Sequence, residues 1–298
     1  MLLGFQSGVV LLYRPLQQRV VEEWNSDGLF SSSPVSSLSC LPSHHPGLFW
    51  ASFSDGVIAS FVLSSSSSSI ASPSSIPSFV ENVGSAESFA MLQASSIAPL
   101  PSAIGSSWRA HPAGLVSVRL SPCGSFLAGI SQHDRQLLLF DLTRHRLLAA
   151  FPAYFGGHLC VCWDPTSRYL IAGGDDDLVC VYSARRGALL ARLRGHRAAV
   201  TDVAVDPWSS NDVTLRFASV GKDGFFILWE LAADFDEQCA EQSTAPLAAP
   251  LPHHPNVRRL LEKPIRSQAL SHLLFSARFL FISCTTGQVE VFRREPKA

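Results

Sequence analysis

The sequence predicts an all-β, propeller-type repeat fold, and three observations carry that prediction. One spacing, a small polar or acidic residue followed after five residues by an aromatic, occurs six times. A short apolar run precedes each copy, and turn residues separate the runs. The copies recur at about 45 residues, the length of one four-stranded propeller blade.

In chain order the copies are Ser7 with Tyr13, Asp55 with Phe61, Asp134 with Phe140, Asp176 with Tyr182, Asp223 with Trp229, and Thr286 with Phe292. The outermost two lack the acid. Before them stand LLGF, LFWASF, FLAGIS, YLIAGG, RFASVG and FLFISC, each short enough for one strand. Three copies carry a further alternating run upstream: VSVRLS at 116–121, LCVCW at 159–163 and VTDVAV at 200–205. Ser121-Pro122-Cys123-Gly124 and Asp164-Pro165-Thr166-Ser167 have the composition of tight turns. A weaker fourth strand follows in RLLAAF, residues 146–151, and ALLARL, residues 188–193. The expected unit is therefore strand, turn, strand, tight turn, strand, with a fourth strand outermost. That gives six recognisable blades, or seven in a complete chain.

Residues 1–298 are expected to form a single propeller with two interruptions. Residues 64–107 open with six consecutive serines and are rich in Ser, Pro and Ala, which predicts a flexible, phosphorylatable insertion. Residues 232–256 are first acidic and then proline-rich, and form the second. The first and last units each lack one strand. The sequence therefore predicts either a truncated N-terminus or an imperfectly closed ring.

Composition excludes several function classes. Net charge is −1 over 298 residues, without the basic stripe of a nucleic-acid binder. The arginines at 185, 186, 192, 194 and 197 are read as a solvated loop. The seven cysteines include no Cys-x-x-Cys pair, which points to reduced intracellular thiols rather than a disulfide scaffold or zinc site. His44-His45 and His253-His254 sit beside prolines without metal-ligand spacing, so no metal and no cofactor is expected. The apolar N-terminus has no basic n-region, and no run reaches the ~20 apolar residues of a membrane helix. A soluble protein, cytoplasmic or nuclear, with no membrane partner is the expectation. There is no phosphate-cradling Gly-x-x-x-x-Gly-Lys and no Gly-x-Ser-x-Gly elbow, so no enzyme is expected.

The fullest copy resembles a WD-repeat blade. Gly195-His196 stands where that family has Gly-His, and Trp229-Glu230 stands for Trp-Asp. The resemblance implies a buried hydrogen-bond network of His196, Ser219, Asp223 and Trp229. Such a network makes physical sense, because a buried carboxylate needs donors and these side chains supply them. The same residue types could be a Ser-His-Asp catalytic triad, but the repeat already accounts for them structurally.

Longer segments are similar to one branch of that family. They are residues 2–15, 154–165 (YFGGHLCVCWDP), 171–183 (IAGGDDDLVCVYS), 216–231 and 257–292. Together they resemble the WD-repeat protein 20 family and its fungal carbon-catabolite-repression relatives of the CreC type. Tyr182 departs from that pattern, standing where a Trp is common. The resemblance implies a non-catalytic scaffold that binds and activates a ubiquitin-specific protease, with a second WD-repeat protein as a further partner. The alternative is a generic WD-repeat adaptor, such as a substrate receptor of a ubiquitin ligase or an assembly factor. In a propeller, the loop between the second and third strands opens on the same face as the loop between blades. Asp134, Asp176 and Lys222 are thus expected to share a partner-binding face with Tyr154, Phe155 and Arg197. Tyr154 and Phe155 either pack under their loop or expose at least one ring as an anchor.

Overall fold

The computed structural model describes residues 1–26, 28, 31–40, 48–62, 79–80, 93–94, 104–111, 114–142, 146–211, 213–232 and 257–294. The serine run, both histidine pairs, Cys239 and most of the two expected insertions lie outside the described residues. Within 64–107, Phe79–Val80 pairs with Gln93–Ala94, and Ile104–Arg109 forms a strand.

The described residues contain no α-helix, only one short 3-10 turn at Pro15–Gln17. They form six larger antiparallel sheets, each of three or four strands taken in chain order. Sheet 1 is Leu2–Gly4, Val10–Arg14 and Arg19–Trp24. Sheet 2 is Val35–Cys40, Leu48–Phe53, Val57–Val62 and Ile104–Arg109. Sheet 3 is Leu115–Leu120, Phe126–Ser131, Leu137–Asp141 and Arg146–Phe151. Sheet 4 is His158–Trp163, Tyr169–Gly174, Leu178–Ser183 and Ala188–Arg194. Sheet 5 is Val200–Val205, Thr214–Gly221, Phe225–Ala232 and Val257–Pro264. Sheet 6 is Leu270–Phe275, Phe279–Cys284 and Val289–Arg293. The fold is the all-β propeller class that the repeat predicts.

Burial explains why the second and third strands are the legible ones. Leu137–Asp141 and Tyr169–Gly174 are buried at every position. Both faces of such a strand meet apolar surface, so its sequence reads as a continuous apolar run. Arg146–Phe151 alternates between exposed and half-buried positions up to the buried Phe151, so its sequence is mixed. Val35–Cys40, VSSLSC, shows no apolar alternation and is not predicted from sequence. Its serines are used in pairing: Ser36 Oγ lies 2.8 Å from Ser52 Oγ, and Ser39 Oγ accepts from Leu120 N at 3.0 Å.

The chain divides into two compact units, Met1–Asp134 with Leu138–Leu148, and Arg135–Leu137 with Ala149–Ala298. In the first, Phe49 and Phe61 stack at 5.2 Å and Trp24 meets Phe49 edge-on at 4.9 Å. A second cluster there joins Trp50, Ile58, Leu115, Leu127 and Phe140. In the second unit, one cluster runs from Tyr169 and Val179 of sheet 4 to Phe217 and Trp229 of sheet 5. Another joins Val220 and Phe226 to Leu273 and Ile282 of sheet 6.

Candidate protein-binding face

In sheets 2, 4 and 5 the aspartate of the repeated turn ties the turn to the loop that leads into its own sheet. In sheet 5, the Asp223 carboxylate accepts from Phe225 N at 3.1 Å, which closes the hairpin. It also accepts from Arg197 N at 2.9 Å, across the turn. Glycine must follow, because Gly224 has φ +77° and a Cβ there would lie 1.9 Å from the Arg266 carbonyl oxygen. In sheet 4, Asp176 accepts from Leu178 N at 3.3 Å and Tyr154 N at 3.1 Å. Burial raises the Asp176 pKa, and the N–H groups of Leu178, Tyr154 and Phe155 act against that rise. In sheet 2, Asp55 accepts from Val57 N at 3.2 Å and from Ser31 Oγ at 2.8 Å.

Behind Asp223 the structure places the other three residues of the network in a row. His196 Nδ1 lies 3.0 Å from Asp223 Oδ2, and His196 Nε2 lies 2.8 Å from Ser219 Oγ. Trp229 Nε1 donates to the same Ser219 Oγ at 2.9 Å. An ionised carboxylate only accepts, so Nδ1–H donates to Asp223 and the Ser219 hydroxyl donates to Nε2. Burial lowers the His196 pKa, which favours the neutral ring in this chain of bonds, and Asp223 opposes that lowering. The connectivity is that of a Ser-His-Asp triad. Ser219 is fully buried, however, and the indole N–H occupies its oxygen, so it cannot reach a substrate.

Sheet 4 is wired differently. Tyr182 replaces the Trp, Ala172 replaces the Ser, and the Tyr182 hydroxyl lies 3.1 Å from Nε2 of His158. His158 opens the first strand of its sheet, at the register position Val200 holds in sheet 5. Burial pushes its pKa down to about 4, with the Phe151 backbone acting weakly the other way. An unfolded chain takes up this proton near pH 6.5, whereas the folded chain resists it until about 4. The stability from a neutral His158 is therefore complete above pH 6.5 and is lost as pH falls toward 4, a loss of about 3 kcal/mol. Thermal melts between pH 7 and 4.5 should show His158→Gln with a clearly shallower decline than the parent. Parallel declines would refute the assignment.

The loop before sheet 4 presents the aromatic pair. Tyr154 is 51% exposed and Phe155 is 75% exposed. The two differ in support. Arg192, buried on Ala188–Arg194, holds its guanidinium 5.1 Å from the Tyr154 ring centroid, a cation–π contact. Phe155 has no such ring contact among the described residues and projects from a fixed backbone. Gly156 follows at φ +63°, where a Cβ would meet Asp175 Cβ at 2.8 Å. Arg192 thus departs from the solvated-loop reading: it points inward on the strand pleat, while Arg185 and Arg186 occupy an exposed turn.

Arg197 leads into sheet 5 with its side chain 73% exposed, over the Phe225 ring at 5.3 Å and 3.9 Å from Glu262. Lys222 is exposed beside it, its N–H donating to the Ala199 carbonyl at 2.9 Å. Tyr154, Phe155, Asp176, Arg197 and Lys222 therefore stand at the same ends of sheets 4 and 5. Asp134 belongs to the first unit, where it is exposed and accepts from Ser131 Oγ. It also opposes the lowering of the His111 pKa, which burial drives and His133 reinforces.

Sequence reasoning missed His111. It stands four residues before Leu115, as His196 stands four before Val200, and it is buried. Counting back four residues from each first strand also finds Ser31, the partner of Asp55. The missing signal is the preceding glycine: Ala110 stands where Gly195 precedes His196. Among the described residues, no group of three or more His, Cys, Asp or Glu is placed to hold a metal ion. No helix among them is long and apolar enough to cross a membrane.

The sheets, the tethering aspartates and the His-Ser-Trp network define a WD40-type β-propeller fold. Residues 150–183 and 187–230, sheets 4 and 5, match the family described as WD domain, G-beta repeat. The chain is similar to UBP9-binding protein bun62 of Schizosaccharomyces pombe, 41% identical over 112 residues. That match covers 38% of this chain and about a fifth of the relative's length. In fold it resembles a chain of a crystal structure of the mitotic checkpoint complex, with a TM-score of 0.64 at 13% identity. The likeness covers 98% of this chain and 70% of that one.

Proposed function

We propose that this chain is a non-catalytic WD-repeat scaffold that binds a ubiquitin-specific protease and raises its activity. The observation that carries the reading is the 41% identity to a protein named for binding UBP9. The likeness of YFGGHLCVCWDP and IAGGDDDLVCVYS to the WD-repeat protein 20 family supports the same role. Phe155, with Tyr154 and Arg197 beside it, is the proposed anchor. Asp176 and Lys222 complete the proposed contact face. Aromatic and arginine side chains dominate the energy of protein interfaces, and loss of a central one commonly costs about 2 kcal/mol or more.

Affinity purification of the tagged chain followed by mass spectrometry should recover a ubiquitin-specific protease. Recovery of a cullin adaptor instead would favour the ligase-receptor alternative. Titration of the recovered protease against Phe155→Ala combined with Arg197→Glu should show affinity reduced about thirtyfold. Both side chains are exposed, so the melting curve should stay close to the parent's. Unchanged affinity in a well-folded double variant would remove this face from the interface.

A further inference from the structure

A second surface lies at the other ends of sheets 4 and 5, where the turns between first and second strands meet. Residues within 164–169 and within 207–211, with Leu215, line a cavity of about 180 Å³. Pro165, Tyr169, Pro207 and Leu215 supply its apolar walls, and Arg168 and Asn211 its polar ones. Ligand pockets for whole small molecules run to roughly 300–1,000 Å³, so this one suits a single side chain rather than a cofactor.

Its polar character is one-sided. The acceptors are used within the turns themselves. Asp164 accepts from Thr166 N at 3.0 Å, Tyr169 N at 2.7 Å and Thr166 Oγ1. Thr166 Oγ1 in turn accepts from Arg168 Nε at 3.0 Å. Ser210 Oγ donates to the Asp206 carbonyl at 2.7 Å and accepts from Arg216 N at 2.9 Å. Asn211 Oδ1 accepts from Val213 N, Thr214 N and Thr214 Oγ1. Donors remain: the exposed Arg168 guanidinium keeps its terminal amino groups, and exposed Asn211 keeps its Nδ2 amide. Two further cations stand near the cavity. Ala184 N donates to the Arg168 carbonyl at 2.9 Å, which brings the turn carrying Arg185 and Arg186 alongside.

We propose that this groove binds an acidic peptide segment of a partner protein, seating one apolar side chain between Pro165, Pro207 and Leu215 with an adjacent carboxylate on Arg168 and Asn211. The site stands apart from the Phe155 surface, on different residues at opposite strand ends. A carboxylate meets the Arg168 guanidinium and the Asn211 amide there, a cation and a neutral donor.

The test starts from random dodecapeptides displayed on phage and selected on the immobilised full chain. The expected motif is one large apolar residue with Asp or Glu within two positions. The best selected peptide, synthesised with a fluorescent label, should bind in an anisotropy titration, more weakly at 0.5 M NaCl. Arg168→Glu should weaken it at least tenfold. Asn211→Asp should do likewise, since it retains the turn's acceptor oxygen and replaces only the donor with a negative charge. Phe155→Ala should leave this affinity unchanged, which separates the groove from the protease-binding reading. Failure to enrich any motif, enrichment of basic peptides, or affinity indifferent to both Arg168→Glu and Asn211→Asp would overturn the proposal.

Discussion

Trp229→Ala should lower the stability of the folded chain by about 3–5 kcal/mol, the range for deleting a buried large aromatic. The indole is 3% exposed and stacks on Phe217 at 6.5 Å, inside the cluster shared by sheets 4 and 5. The packing at Gly195 is close on the other side, where an added Cβ would lie 3.0 Å from the indole. The change also removes the donor to Ser219 Oγ. Trp229→Phe keeps most of the ring and loses only that bond, so it should cost much less, about 1 kcal/mol from the hydrogen bond together with a smaller packing loss. Urea unfolding of both variants gives the comparison. A near-parental midpoint for Trp229→Ala would show that the ring does not carry the packing assigned to it.

Arg294→Ala should be nearly as damaging, at about 3 kcal/mol. The side chain is 14% exposed and joins sheet 6 to sheet 5. It pairs with the buried Asp206 carboxylate, donates to Ser209 Oγ at 2.9 Å and donates to the Ser276 carbonyl at 2.6 Å. Its guanidinium lies 5.6 Å from the Trp208 ring and 5.2 Å from Phe275. Breaking a buried ion pair by removing one partner commonly costs 3–5 kcal/mol, because a charge is left uncompensated. The lower end applies here, since Asp206 keeps the N–H groups of Trp208 and Ser209 at 3.1 and 3.2 Å. A double-mutant cycle with Asp206→Asn measures the pair directly. Additive losses would mean that the two side chains are not coupled.

The repeated turns were readable because their chemistry is local. Asp223, Gly224 and the apolar run to Trp229 occupy one hairpin, so spacing alone placed them. His196 was readable through its neighbour Gly195. His111 was not, although it fills the same structural position, because Ala110 breaks the familiar pair. Val35–Cys40 is missed for a different reason: its serines bond to Ser52 and to the backbone of the Leu115–Leu120 strand, and hydroxyl pairing leaves no hydrophobic period in a sequence. Arg192 was misjudged because a cation is expected outside. Its ring partner Tyr154 stands 38 positions earlier in the numbering, and no window on the sequence brings the two together. The exposure of Phe155 was left open by the sequence, since an aromatic beside two glycines can pack or project. The tether of its loop to Asp176 decides the matter.

That tether has an evolutionary consequence. Asp176 and Asp223 grip their loops by main-chain N–H groups, at Tyr154 and Arg197, which every residue but proline possesses. The tether itself therefore asks nothing of the side chains mounted on it. Mutation can exchange the residue at 155 while the post that carries it stays where it is. A lineage built this way can drift from one partner to another through a series of stable intermediates, each folding as well as the last.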